Sequence, residues 1–559
     1  MSKFAVPAAC AEADAASVVL AYHERTKHRF ERYAAGPETL DWDAQPAPFR
    51  RFAGAPVTSL PLPADTDTTR WDSLFTPGAV ARRPACVDSI GLLFELSFAL
   101  SAWKRSGPDR WALRCNPSSG NLHPTEVYLL AHGVVDLDDG LYHYAPQAHA
   151  LERRAAPSAP RACPPSARTR LIVGFSSIHW REAWKYGERA FRYCQLDIGH
   201  ALGALRYAAA VLGWRIREVA PGHHAISACL GLDRAGDFGD AEREEPEALF
   251  ELLHDDAGPS YDDDPLAWMS SAAWHGRANR LDAHPMYRWP VIDAVAHASR
   301  RTAPNVAVAQ LPPAGGRRRL PDTNARASTL IRARRSAQHF DRRARLDAKR
   351  FWPIVEALLP GTDAGPAPVP WDIACSPARV HPVLFAHRVD GLEPGAYLLL
   401  RDPSTRTALQ AAFASLPLEP VHAAPPDLPL YCLAVNPALA GTLRTLSCHQ
   451  AIGADAMFVV ALVGAYRPHV DREPHQYRAL LREAGHIGQV LYMEAEAAGL
   501  RGTGIGCYFD DPVHALLGLD ASPEPGWQVL YHFSVGLPLA DPRIVSEPPY
   551  GPAREERPQ

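Results

Sequence analysis

The chain has 559 residues, 47% of them hydrophobic, with a net charge of -4 and a pI near 6.7. It is too long for one core and points to two to four packed units; without a dense run of Lys or Arg it lacks the footprint of a nucleic-acid or anionic-membrane binder, leaving a small molecule or peptide as substrate. Ten scattered cysteines, with no CxxC pair or metal-type spacing, exclude a disulfide scaffold and imply a reducing cytoplasm.

In chain order, residues 1–70 form an extension rich in Arg and aromatic residues, its apolar positions interrupted by acids and histidines so that no signal-peptide core arises. Residues 71–265 read as a first half. There "RCNPSSGNLHPTEVYLL" (114–130) is a tight polar loop running into a strand, and Pro-Ser-Ser-Gly-Asn is turn chemistry that directs amides and hydroxyls outward. Residues 121–144 read as a hairpin. Lys185-Tyr186 lies just ahead of a long helix over 191–215, whose apolar residues recur at helical spacing and whose last turn is followed by Gly. "GHHAIS" (222–227) lacks a partner cluster for metal and reads as a loop.

Residues 266–328 read as a linker or surface wrap, ending in the Pro-, Gly- and Arg-rich stretch 311–328. The second half, 329–546, opens with "TLIRARRSAQHF" (329–340), placing Arg-Arg-Ser on the first turns of a helix. A hairpin over 379–400 follows. "AIGADAMFVVALVGAY" (451–466) contains Asp455, is too short for a bilayer, and reads as a helix buried on all sides. A second long helix spans 477–502, and "GLRGTGIGCYFDD" (499–511) is a Gly-rich turn after it. Residues 547–559 are a tail.

The halves repeat one another. Asn121–Tyr144 and Arg379–Leu400 share His-Pro, a β-rich run and an acidic turn before Gly-x-Tyr; Phe191–Arg215 and Tyr477–Gly502 share an aromatic-Arg pair, an acid, Gly-His and a terminal Gly. The offset is 258 at His-Pro and 286 at Gly-His, so the copies keep one order and differ by an insertion. This is a duplication of about 200 residues.

Two chemistries follow from residue type. An Arg fork with a hydroxyl suits a phosphate, and a Gly-rich segment lets backbone amides approach a flat ring. Only five of the 58 basic residues are lysines (Lys3, Lys27, Lys104, Lys185, Lys349), so a Lys marks a place where an amine is wanted. His200 and His486, at matching Gly-His positions, read as core histidines, and Cys507 as a packing thiol.

Taken together these segments resemble the FMN-dependent nitroreductase superfamily, and within it the SagB/ThcOx-type dehydrogenases that oxidise azoline rings in peptides. The resemblance spans about residues 20 to 545. It implies an α+β fold of two fused nitroreductase-type α/β/α sandwich halves, each a mixed sheet with flanking helices, forming an intramolecular pseudo-dimer. It further implies that Arg334, Arg335, Ser336 and Gln338 contact the flavin ribityl and phosphate, with Arg543 a further phosphate candidate. Pro117, Ser118, Ser119 and Asn121 would lie along the isoalloxazine, and Gly504, Ile505 and Gly506 would offer an amide near N5.

One composite site keeps all three parts; in the other "PSSGN" has become "CSPAR" and the two partner segments are lost. One FMN per chain is therefore expected. The resemblance also makes Lys185 and Tyr186 the base that takes the ring proton, the ammonium lowering the phenol's pKa toward a working range. The expected substrate is a small molecule or modified peptide, with other peptide-modifying enzymes as partners and neither nucleic acid, membrane nor metal. Two alternatives are an NAD(P)H-dependent nitro or quinone reductase and a non-catalytic flavin-binding scaffold.

Overall fold

The computed structural model describes residues 14–62, 67–158, 169–255, 271–304, 318–361, 367–373, 377–413, 416–519 and 526–551. The start of the N-terminal extension, residues 311–317 of the Pro- and Gly-rich stretch 311–328, part of "CSPAR" and the end of the tail lie outside the described residues.

The N-terminal extension supplies β1 (Val57–Ser59), the first half β2 (Leu100–Ser106), β3 (Asp109–Arg114), β4 (Thr125–His132), β5 (Gly140–Ala145), β6 (Ala150–Ala156), β7 (Arg170–Ser177), β8 (Arg215–Val219) and β9 (Glu245–Leu253), and the segment expected to be a linker β10 (Ala273–Trp274). The first half's main sheet has the order β10-β6-β5-β4-β7-β9-β8, with β1 also on β6. The second half supplies β11 (Val380–Ala386), β12 (Gly395–Leu399), β13 (Glu419–Pro420), β14 (Leu430–Val435), β15 (Phe458–Ala465), β16 (Arg501–Ile505) and β17 (Trp527–Gly536), in the order β13-β14-β12-β11-β15-β17-β16. Six strands of one sheet thus match six of the other in order. Hairpins β4–β5 and β11–β12 form as expected. The sheets are not mixed: every pairing between these strands is antiparallel, because the chain re-enters each sheet from alternate ends. β18 (Val545–Glu547) returns to pair with β2 of the first half.

The helices that matter here are α1 (Ala15–Arg25), α2 (His179–Tyr186), α3 (Ala190–Val211), α4 (Ala327–Ala333) and α5 (Gln476–Ala497). α3 and α5 are 22 residues each, lie 286 positions apart at both ends, and pack on one another. The repeated sequence signature is this contact. Phe191 stacks on Tyr477 with ring centroids 6.2 Å apart. Arg192 reaches Asp510 of the second half at 3.1 Å, and Arg478 at the equivalent position reaches Glu245 and Glu247 of the first at 2.7 and 2.8 Å. Gly199 and Gly485 sit where the helices cross, and a Cβ on either would overlap a backbone carbonyl of the other. Equivalent residues meeting each other reciprocally is the contact pattern of an isologous interface.

Four local expectations change. Residues 458–465 are the central strand β15, buried throughout, and not a helix: an eight-residue apolar run has the length of a strand covered on both faces. Arg334 caps the C-terminal end of α4 and does not open a helix. Residues 501–505 form the edge strand β16, antiparallel to β17, where a turn was expected. His223 opens the helix His223–Leu230, which Gly231 ends at φ 67°. α4 leaves its own half: Leu330 and Ile331 join the core of the first, and Arg332 forks onto Glu95 at 2.6 and 2.9 Å.

Candidate functional site

The loop 117–121 is held by an acid on α3. Asp197 accepts from the Ser119 amide at 3.1 Å and from its hydroxyl at 3.0 Å, and Ser118 Oγ accepts from the His123 amide at 2.8 Å. Gly120 and Asn121 are both left-handed, at φ 58° and 60°. Asn121 donates Nδ2 to Ala112 O and meets His123 Nε2 with Oδ1, so its amide fixes the loop. Pro117 is buried beneath it.

Lys185 and Tyr186 end α2, which stops because Gly187 takes φ 55°. The Tyr186 hydroxyl packs against Gly120, 2.5 Å from where a Cβ would stand. Tyr186 meets Tyr193 edge-on at 4.7 Å, and Tyr193 donates to Gly506 O at 3.1 Å. A line of contacts therefore runs from the loop of the first half, through Tyr186 and Tyr193, to the glycine segment of the second. Lys185 Nζ lies 5.4 Å over the Tyr186 ring and 5.2 Å over that of Trp42.

The expected lowering of the Tyr186 pKa is not produced. Burial, then Glu182, pushes the phenol well up, because the ammonium faces the ring while carboxylates lie nearby. Burial lowers Lys185, with Glu182 opposing. Burial also raises Glu182, with Asp197 adding to it, and pushes Asp197 up to about 7. Burial thus disfavours the charged form of each of these groups, the Lys185 ammonium and the Tyr186 phenolate alike.

At the other end of the site, Arg334 is buried and donates to Cys115 O and Arg114 O, both at 2.9 Å, which joins the Arg-Arg-Ser segment to the residues preceding Pro117. Arg335 donates to Ser101 O at 2.8 Å. Ser336 Oγ meets Tyr492 OH at 2.8 Å, and that hydroxyl also accepts from Gly504 N at 3.2 Å. Ile505 is buried and Gln338 exposed. Gly504 and Gly506 are required by protein rings: Tyr531 and Tyr193 occupy the space a Cβ would need. Arg543 is exposed and forked onto Asp541, apart from these contacts.

Two residues not singled out for this role complete the charge. Burial and mutual repulsion lower Arg335 to about 10, through Arg334 and Arg501, and lower Lys104, through Arg335 and Arg501. Glu496 offsets them, accepting from the Arg335 amide at 3.2 Å and pairing with Arg501 at 3.3 Å. Four cations against that acid leave the excess positive charge a phosphate monoester would balance. The scarcity of lysine was the sequence signal for Lys104; Arg501 had none among so many arginines.

His200 and His486 are core histidines: burial holds both near 3, His200 Nε2 meets Tyr531 OH at 3.1 Å, and His486 lies against Trp371. A cavity of about 830 Å³ runs along the His179, Trp180 and Ala183 face of α2, and none of the predicted site residues lines it. Among the described residues no cluster of His, Cys, Asp and Glu suits a metal, and no helix is long and apolar enough to cross a membrane.

Residues 331–537 match the model of the nitroreductase family. A Methanocaldococcus jannaschii protein named as a nitroreductase is 26% identical over 112 residues, 19% of this chain and 57% of that protein, so the match spans little more than half of the relative. The crystal structure of an Anabaena variabilis protein described as a nitroreductase aligns with 93% of this chain and 99% of its own, with a TM-score of 0.66 at 21% identity. Both halves therefore share its fold. A Bacteroides fragilis nitroreductase with bound FMN aligns over 38% of this chain and 87% of its own, at 15% identity and a TM-score of 0.20.

Proposed function

We propose that the chain is an FMN-dependent oxidoreductase with one composite flavin site between its halves, acting as a SagB/ThcOx-type dehydrogenase on azoline-like rings of a peptide. The observation that carries the reading is the meeting of segments over 200 residues apart, Arg334 bonded to the backbone of residues 114 and 115 and Tyr193 to the carbonyl of Gly506. The donor set fits FMN: Lys104, Arg334, Arg335 and Arg501 supply charge for the phosphate, Ser336 a hydroxyl for the ribityl end, and the loop 117–121 a polar wall. Bound there, FMN would supply a two-electron hydride acceptor. Pro117, Ser118, Ser119 and Asn121 would form the surface beside the ring system, with Gly504, Ile505 and Gly506 opposite.

Within this reading, Lys185 accepts the proton that leaves the substrate. Its amine is partly desolvated, which disfavours the ammonium, and Glu182 opposes that shift. Tyr186 donates its hydroxyl hydrogen to the substrate and fixes its pose. The partners this implies are a modified peptide and the enzymes that prepare it, in the cytoplasm.

The test uses the flavin-loaded protein with a peptide azoline. Lys185→Ala should retain FMN and its reduction by dithionite, while turnover falls by about 10² to 10⁴, the usual worth of a positioned base. Tyr186→Phe should fall less. Wild-type turnover in both variants, or efficient NADPH-driven reduction of nitroarenes that both retain, would replace this reading with that of a reductase.

A further inference from the structure

We propose that Cys507 and Cys448 form a thiol–disulfide exchange site at the edge of the composite site, Cys507 attacking a small disulfide and Cys448 resolving the product. The two cysteines lie on neighbouring segments tied together by Phe509 N donating to Leu446 O at 2.9 Å and Gln450 Nε2 donating to Cys507 O at 3.2 Å. That pairing sets residues 448 and 507 opposite each other. Both are partly exposed, whereas Cys115, Cys194 and Cys229 are buried.

The surroundings give the two thiols different tasks. His28 Nδ1 accepts from the Ala34 amide at 2.9 Å, which leaves the ring proton on Nε2, and the imidazole interacts electrostatically with Cys507. Arg189 donates to the carbonyl of Gly506, the preceding residue, at 3.1 Å. The nearby acid, Asp510, is taken up by Arg189 and Arg192 at 3.0 and 3.1 Å and by the His28 amide at 2.9 Å. Tyr33, Tyr186 and Tyr193 also face the pair, and burial keeps all three phenols protonated. The interaction with Cys448 foremost, then that with His28, lowers Cys507 to about 5, while Cys448 is pushed up. In the proposed site Cys507, with Arg189 on the preceding carbonyl, attacks and Cys448 resolves. Cys448 and His449 hold left-handed backbone, at φ 51° and 61°, which non-glycine residues rarely adopt.

In the first step the Cys507 thiolate attacks one sulfur of the small disulfide, whose S–S bond breaks and releases one thiolate that takes a proton from water. In the second, Cys448 loses its proton to water and attacks the Cys507 sulfur, expelling the other small thiolate. Two electrons pass from the cysteine pair to the small disulfide, giving one internal disulfide and two small thiols. Nothing in this depends on the flavin reading.

The experiment treats the full chain, without added flavin, with oxidised glutathione and maps the peptides by mass. The wild type should yield a Cys448–Cys507 disulfide, Cys448→Ser should accumulate glutathione on Cys507, and Cys507→Ser should give neither. In parallel, iodoacetamide labelling of the wild type from pH 7 to 5.5 should slow by no more than about threefold at Cys507. At Cys432, whose thiol burial raises, it should slow about 30-fold, since thiolate falls tenfold per unit below the pKa. Parallel decline of the two, or glutathione distributed over other cysteines with none on Cys507, would overturn the proposal.

Discussion

The chain builds the same framework twice and fills it in opposite ways. At the composite site, Asp197 holds the amide and hydroxyl of Ser119; 286 positions on, Glu483 accepts from the amides of Arg379 and Val380 and from the guanidinium of Arg401. Tyr492 gathers Ser336 and Gly504, whereas its counterpart Arg206 is forked onto Asp372 with both bonds at 2.8 Å. Buried Arg401 lies 4.6 Å over Trp371 in the second place. One region therefore sets four cations against a single acid, and the other pairs its arginines with its own carboxylates. On the proposed reading, among the described residues the first of these regions is the one left with charge for an anionic ligand.

The largest expected effect bears on the framework common to both. Gly199→Ala and Gly485→Ala each drive a Cβ into the opposite helix backbone, which cannot retreat, so each should cost about 3 to 5 kcal/mol of unfolding free energy or prevent folding. Chemical denaturation should find the two costs alike; a large loss in only one would break the equivalence of the helices.

The next effect separates the regions. Lys104→Met and Arg335→Met should each weaken FMN by about 1.5 to 3 kcal/mol, or about 10- to 150-fold in Kd, the worth of a charged hydrogen bond. Riboflavin, which has no phosphate, should be little changed. Arg401→Met, in the counterpart, should leave both affinities near wild type. Titration by flavin fluorescence checks this, and equal losses for FMN and riboflavin would move the phosphate elsewhere.

A smaller effect appears in the pH dependence of stability. Burial raises the folded-state pKa of Asp197 to about 7, so the folded protein holds a proton that the unfolded chain has already released. Stability from this group is therefore lost as pH rises from about 4 to 7 and is constant above. Asp197→Asn removes the dependence, and its stability relative to wild type should improve by about 2 kcal/mol between pH 5 and 8. A constant difference across that range would show Asp197 ionised throughout.

Much of this was legible in the sequence because the repeat marks the contacts that join the halves. Phe191-Arg192 and Tyr477-Arg478 recur because they stack and cross the interface, and Gly-His recurs because only glycine admits the crossing. The loop at 117–121 was visible as turn chemistry. What was hidden depended on partners distant in sequence. The run 458–465 has no alternation because both faces of β15 are covered, so periodicity alone did not distinguish it from a buried helix. Arg334 falls at a helix end because α4 packs in the other half's core. The Tyr186 pKa is governed by burial and Glu182, neither of which the adjacent Lys185 discloses. Cys507 looks like a packing thiol until His28, from the N-terminal extension, is placed beside it.

The central claim is that one of two equivalent regions binds flavin. Saturating the purified chain with FMN, removing the excess, and measuring released FMN against protein concentration after denaturation tests it most directly. The account predicts one FMN per chain, lost on combining Lys104→Met with Arg335→Met. A ratio of two would show that the arginine-filled region also binds, and a ratio of zero under saturating FMN would show that neither does.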